Sequence, residues 1–270
     1  MSGLLDGKVV VISGVGPALG TTLARRCAGA GADLVLAART VDRLDDLAKE
    51  VAGMGRRAEF GLGTSLMQAQ RYGYTQMINN ATLTNSSYKL RLAQDITLYL
   101  AEIGMDIPGW NDELGKKAWL EDGIWQGTRE AVETIMGATD YLEQYFAINI
   151  VFEPLVGELF RSGFLMQVAA ANNDFITPPV ISAAEADYER NLANTIDLAY
   201  LLANDEQHAA ANRELFQGWL AKHGSLARKA ALNLQPIWSQ PHSKPVSFED
   251  VRAAAEERQG KILAELGLSN

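Results

Sequence analysis

Two groups of residues in this 270-residue chain are spaced for chemistry. The first is Ser13-Gly14-Val15-Gly16-Pro17-Ala18-Leu19-Gly20, which follows a β-branched run and opens a helical pattern. Gly14, Gly16 and Gly20 there would let backbone amides approach a pyrophosphate at a helix N-terminus. The second group is the carboxylates and imidazoles. A carboxylate-bridged metal pair in a helical bundle takes one Glu from each of two helices and a Glu-x-x-His pair from each of two others, because a spacing of three puts both ligands on one face. Asp205-Glu206-Gln207-His208 has a carboxylate-x-x-His spacing. It lies about fourteen residues beyond Asn191, roughly 20 Å along a helix, too far to share a metal with Glu158. It is expected to be a solvated or partner-facing surface. His223 and His242 stand alone and are expected at the surface.

The elements that must carry these residues fall into two parts. Residues 1 to 57 alternate strand and helix: Val9 to Ile12, then a helix from Gly20 to Gly29, a strand from Asp33 to Ala38 and a helix from Val41 to Val51. Gly53, Gly55, Arg56 and Arg57 form a glycine-broken basic stretch that reads as a separator, which places a domain boundary near Phe60. The chain is thus divided into 1–60 and 61–270. From Gly61 onward the apolar spacing is helical: Leu62 to Thr82, Ser86 to Ile103, Leu114 to Met136 after a Pro108-Gly109 loop, and Asp140 to Ala171. That last segment is apolar nearly all round, as in a helix buried on several sides, and Pro154 should kink it. Asn172, Asn173 and Asp174 make a turn, with Thr177 as N-cap and Pro178 in the first turn of the next helix. The inward stripe of that helix includes Ile181, Tyr188, Asn191, Leu192 and Thr195. A final helix, Phe248 to Leu266, follows Pro236, Pro241 and Pro245.

Composition narrows the function classes. The formal net charge of −9 disfavours nucleic acid and anionic lipid as partners. No run of about eighteen apolar residues exists, so no membrane-spanning helix is expected. A single cysteine, Cys27, cannot close an internal disulfide, and Met1 to Leu5 lacks signal-peptide zones, which together suggest the cytoplasm.

With Leu5-Asp6-Gly7-Lys8 before it and Ala37-Ala38-Arg39-Thr40 after the second strand, the glycine segment resembles the start of a short-chain dehydrogenase/reductase. The resemblance covers about a fifth of the chain. It implies a nucleotide site built on Gly14, Gly16, Gly20 and Arg39, with Arg39 suited to a 2′-phosphate and so to NADP. Ala18 replaces one of that family's glycines. Hydride transfer in that family needs a tyrosine with a lysine four residues on, to lower the phenol's pKa. None of the eight tyrosines here is followed by one. Two parallel strands also make no stable sheet alone.

Residues 61–270 resemble the hydroxylase small (β) subunit of soluble di-iron monooxygenases, in the propane monooxygenase branch. The stretches that carry this are Tyr72-Gly73-Tyr74-Thr75-Gln76-Met77-Ile78-Asn79-Asn80, Gly157-Glu158, Asn172 to Pro178 and Ala186-Asp187-Tyr188-Glu189-Arg190-Asn191. The resemblance implies a mainly α, ferritin-like bundle, here preceded by an incomplete Rossmann-like β-α-β-α segment. It also implies a partner α subunit that holds the two irons, with the β subunit a metal-free paralogue. By position Glu158 matches a ligand of the α subunit, whereas Tyr188 and Asn191 replace a Glu-x-x-His pair. On the earlier helices Asp95 and Leu98 replace the other pair, and Ser65 stands near the remaining glutamate. No catalytic residue, bound cofactor or metal is therefore expected in this chain. Without a metal, Glu158 should be protonated or bonded to Tyr188 or Asn191, and Asp187 and Arg190 should form ion pairs. Trp110, Trp119, Trp125, Trp219 and Trp238 suit either a partner interface or the core. The expected role is a structural subunit in a hetero-oligomer with the di-iron α subunit. The alternatives are an NADP-dependent reductase, or a composite chain whose dehydrogenase-like start stands in place of the family's own N-terminal arm.

Overall fold

The computed structural model describes residues 5, 8–13, 25–30, 32–37, 51–106, 109–111, 113–172, 174 and 176–269. Near the N-terminus, β1 (Val9–Ser13) pairs in parallel with β2 (Asp33–Ala37), from Val9 opposite Asp33 to Ser13 opposite Ala37. Residues 25–29 between them are helical. Gly14, Gly16, Gly20 and Arg39 lie outside the described residues, as does most of the helix expected from Val41.

Beyond this the chain is helical. A π-helical turn, Val51–Arg56, runs directly into α1 (Arg57–Ala69). Then come α2 (Gln76–Asp106), α3 (Glu113–Glu121) and α4 (Gly123–Met136). The long helix α5 covers 141–171, α-helical at its ends and π-wound over Ala147–Gly157 and Leu159–Val168. It is followed by α6 (Thr177–Ala203), α7 (Ala209–Asn233) and α8 (Phe248–Glu265). No helix among the described residues is long and apolar enough to cross a membrane.

The separator expected at Gly53 to Arg57 does not interrupt the helix. A Cβ on Gly53 would come within 2.6 Å of the Trp125 ring, so this glycine brings the helix close to α4. Val51 and Ala58 lie in the bundle core, and the helical body therefore starts before Phe60. The break expected between Thr82 and Ser86 falls earlier. Gly73 is extended, and Thr75 Oγ1 accepts the Ile78 amide at 3.2 Å, so helix capping restarts the chain at Gln76. The expected Leu114 to Met136 helix is split, because the Asp122 carboxylate accepts the Ile124 amide at 3.0 Å and begins α4. Helix α7 is set off from α6 by the turn at Asn204 to His208.

α5 is the axis of the bundle, packed against α1, α6, α7 and α8, and every residue from 144 to 161 is buried. An all-round apolar pattern thus became an all-round contact. Pro154 lies inside the π-wound part, where its missing N–H leaves one helical bond unmade. At the following turn the cap is Asp174 rather than Thr177. Its Oδ1 accepts the amides of Ile176 and Thr177, both at 2.9 Å, and its Oδ2 accepts the Thr177 hydroxyl at 2.6 Å. Pro178 sits in the first turn of α6, where its missing donor costs nothing. Trp119, Trp125 and Trp238 are core residues, Trp110 and Trp219 half-buried, so the tryptophans serve packing. Trp238 stacks in a tilted pair with Phe164 at 5.0 Å and edge-on against Phe248 at 5.3 Å, joining α5 to α8.

Candidate functional site: a polar core inside the bundle

The helices α1, α2, α5 and α6 bring charged side chains into the middle of an otherwise apolar interior. α1 supplies Glu59, α2 supplies Lys89, α5 supplies Glu153 and Arg161, and α6 supplies Glu185. Lys89 Nζ donates to Glu59 Oε2 at 2.8 Å and to Glu153 Oε1 at 2.5 Å. The Arg161 guanidinium donates to Glu59 Oε1 at 3.0 Å, Glu153 Oε2 at 2.5 Å and Glu185 Oε1 at 2.6 Å. Glu153 is 0% exposed and Arg161 3%. Burial alone would raise the Glu153 pKa, but Arg161 and Lys89 outweigh it and bring the carboxyl down to about 2. Burial opposes the Arg161 charge in the same way, and Glu153, Glu185 and Glu59 more than compensate, raising its pKa. Gly157 makes the arrangement possible: a Cβ there would lie 2.5 Å from Glu153 Oε2 and 2.9 Å from Arg161 Nη1.

Glu158, on the same helix, sits in a poorer setting. Its carboxylate lies 2.9 Å from Arg258 of α8, a guanidinium shared with Glu189 at 2.6 Å. Burial pushes its pKa up to about 7, offset only partly by Arg258 and the Tyr188 hydroxyl. Burial and then the Glu158 charge also push the Tyr188 phenol up, so it stays protonated. The ring of Tyr188 has the Arg161 and Arg258 guanidinium carbons 5.4 and 5.8 Å from its centroid. Tyr188 therefore neighbours Glu158, but its buried hydroxyl makes no hydrogen bond among the described residues, so the expected bond to Glu158 is not formed. Asn191 does not serve it. Its Nδ2 donates to Asn85 Oδ1 at 3.0 Å, and Asn85 Nδ2 donates to Asn149 Oδ1 at 3.0 Å, a neutral ladder across α6, α2 and α5. Amide pairs meet each other's donors and acceptors without leaving a charge to neutralise.

The other expected positions divide similarly. Asp187 pairs with Arg190 at 2.5 Å and also with Arg91 of α2. Leu98 is 57% exposed and Asp95 is half-buried, so neither faces the polar centre as a ligand would; Ser65 is fully buried. Asp205 to His208 is a turn rather than a helix face. Asp205 Oδ1 accepts the amides of Gln207 and His208 at 3.0 and 2.8 Å, capping the entry to α7. His242 is exposed, but His223 is not a surface residue. It is 2% exposed, and its Nε2 lies 2.8 Å from Glu143, which also accepts from Lys222 at 2.7 Å. Burial lowers the His223 pKa, partly offset by Glu143.

A di-iron pair does not fit this core. Among the described residues no three His, Cys, Asp or Glu side chains converge as metal ligands. The carboxylates that do converge, Glu59 and Glu153, already face two positive side chains, which would repel a metal cation. The space beside Lys89, Asn149, Arg161 and Tyr188 is a void of about 20 Å³, room for about one water. Glu59, Lys89 and Arg161 escaped the sequence reading. Charged residues in the all-round buried α5 were the available sign, since such groups need partners.

Comparison with known proteins agrees with this architecture. Residues 29–206 match the family described as Methane/Phenol/Alkene Hydroxylase, starting on the N-terminal side of the boundary expected near Phe60. The chain is 42% identical over 217 residues to the propane 2-monooxygenase hydroxylase component small subunit of Rhodococcus jostii (strain RHA1), covering 80% of this chain and 59% of that one. It is 41% identical over 213 residues to the protein of the same name from Gordonia sp. (strain TY-5), covering 78% and 58%. The chain thus spans somewhat under three fifths of the length of these curated relatives. Among solved structures, it superposes on toluene 4-monooxygenase with toluene bound at a TM-score of 0.66, with 24% identity over 73% of this chain and 64% of that one. Phenol hydroxylase from Pseudomonas sp. OX1 gives a TM-score of 0.69 at 18% identity, covering 86% and 66%. The fold is that of the ferritin-like monooxygenase hydroxylases, and the chain belongs to the methane/phenol/alkene hydroxylase family.

Proposed function

We propose that this chain is the non-catalytic small subunit of a multicomponent, propane-type di-iron monooxygenase and works in the cytoplasm by packing against an iron-bearing hydroxylase subunit. The observation that carries this is the 42% identity to a propane 2-monooxygenase hydroxylase small subunit. The site supports it, because Tyr188 and Asn191 occupy a ligand pair's spacing with neutral groups that bind neighbours rather than metal. The chain's own residues hold helices in register and move no proton to a substrate. Co-expression with an iron-bearing hydroxylase subunit of the propane type tests it. An equimolar complex on size exclusion with light scattering, its iron removed along with the partner, is expected. Propane oxidation by this chain alone, or no complex at all, would defeat the reading.

We further propose that the residues before Val51 form a separate, Rossmann-like segment of dehydrogenase type, joined to the hydroxylase bundle in a composite chain. The parallel pairing of Val9–Ser13 with Asp33–Ala37 supports it, since parallel neighbours require a crossover such as the β-α-β unit. The seam then falls before Val51, because Val51, Gly53, Gly55, Ala58 and Glu59 are buried in the helical body. Gly14, Gly16, Gly20 and Arg39 are its candidate NADP contacts. A titration of NADPH by fluorescence tests this. Binding abolished by Gly14→Asp supports a retained nucleotide site, and no binding leaves a remnant without that activity.

A further inference from the structure

The connectivity of the polar core, more than its charge alone, is informative. Glu59 and Glu153 come from different helices, and each offers one oxygen to Lys89 and the other to Arg161. Two carboxylates thus each bridge the same two cations, one oxygen apiece. This is how bridging carboxylates hold a pair of metal ions. We propose that the Glu59–Glu153 pair is a latent divalent-cation site whose cations are supplied by the chain itself, through Lys89 and Arg161.

The chemistry of the four groups supports this. Two buried carboxylates brought together repel each other, and one cationic partner must sit between them for both to remain ionised. A metal ion provides that charge reversibly, but a lysine provides it permanently. Lys89 is the closer mimic, since an ammonium is a compact point charge with three donors. It is 7% exposed, and among the described residues it donates to these two carboxylates alone. Arg161 is larger and planar, and its third donor reaches Glu185 on α6, so it closes the cluster on a fourth helix. Gly157 leaves the space in which the guanidinium and Glu153 lie side by side. The bundle consequently folds without iron, and iron supply controls nothing in this chain.

Removing the ammonium should expose the site. In the full chain, Lys89→Ala leaves Glu59 Oε2 and Glu153 Oε1 around the space the ammonium filled, suited to one small hard cation held by carboxylate oxygens. Thermal unfolding and isothermal titration with Mn²⁺ are the measurements. The unaltered chain should bind no Mn²⁺, and neither Mn²⁺ nor EDTA should move its Tm. Lys89→Ala should lose roughly 10 °C in Tm, recover most of it in Mn²⁺ and bind about one ion per chain. Adding Glu153→Gln should abolish that binding. A Lys89→Ala chain that is soluble only when refolded with Mn²⁺ would support the proposal equally. A variant that binds no Mn²⁺, or is insoluble with and without it, would overturn it. Mn²⁺ binding by the unaltered chain, with Tm lowered by EDTA, would overturn it too.

Discussion

Glu153 and Glu158 lie five positions apart on α5, both deep in the bundle, and their acidities diverge in opposite directions. Glu153 is completely enclosed yet is held down to about 2, because Lys89 and Arg161 are fixed against both its oxygens. Glu158 is slightly less enclosed yet burial pushes it up to about 7, because its ion-pair partner, Arg258, is shared with Glu189 and sits near the surface. Burial therefore does not decide the charge state of a core carboxylate. The number of cations held rigidly against it does: for Glu153, Lys89 comes from α2 and Arg161 from two turns further along α5.

The largest test of this contrast is Arg161→Met. It removes one of two buried partners and should destabilise the chain by about 3–5 kcal/mol in urea titration at neutral pH. The sign of the pH effect follows from the lowered Glu153 pKa. Stability from this pair is complete above the ordinary carboxylate value of 4.5 and is lost as pH falls toward about 2, so the penalty of Arg161→Met should shrink over that window. A penalty under about 1 kcal/mol would place the cluster among pairs that contribute little.

Glu158→Gln should behave in the opposite sense. A carboxyl whose folded pKa is raised binds its proton more tightly when folded, so the native protein loses stability as pH rises from 4.5 through about 7. The variant should be unchanged in stability near pH 5. At pH 8 it should be more stable by about 1–2 kcal/mol, less than the full shift implies because Arg258 loses a partner. Destabilisation at pH 8 would show that the Arg258 pair outweighs the cost of burying the charge.

A smaller effect is expected at the third buried ionisable contact, between α5 and α7. The folded pKa of His223 is lowered, so the unfolded chain takes up the proton first, and stability should decline as pH drops below 6.5. His223→Gln should flatten that part of the profile by about 1 kcal/mol while leaving stability at pH 8 nearly unchanged. An identical slope in both proteins would assign the acid sensitivity elsewhere.

Much of this architecture can be read along the chain. The all-round apolar run predicts α5 as a helix enclosed on every side, the Asn172 to Asp174 turn predicts where it ends, and Pro178 predicts where α6 begins. Tyr188 and Asn191, three apart, face inward together, and Asp187 pairs with Arg190 within one turn. In each case the partners are at most a few residues apart, or the pattern repeats with the helical period, so local spacing carries the information. Boundaries were harder: Gly53 reads as a break in sequence but is a close contact with Trp125 in space.

The sequence by itself determined the helical period, the missing Glu-x-x-His pairs and the neutral character of positions 188 and 191. Only the tertiary structure decided which charges meet. Lys89 reaches Glu59 from 30 positions away and Glu153 from 64, and Asn191 reaches Asn85 from 106. An ion pair or amide pair across helices depends on packing angle and register, which periodicity leaves free, so a lysine destined for the core looks in sequence like any lysine on a helix surface. Once α5 packs against α1, α2 and α6, desolvation makes every unpaired charge costly, and the surviving arrangement is the one in which Lys89 and Arg161 lie between the carboxylates.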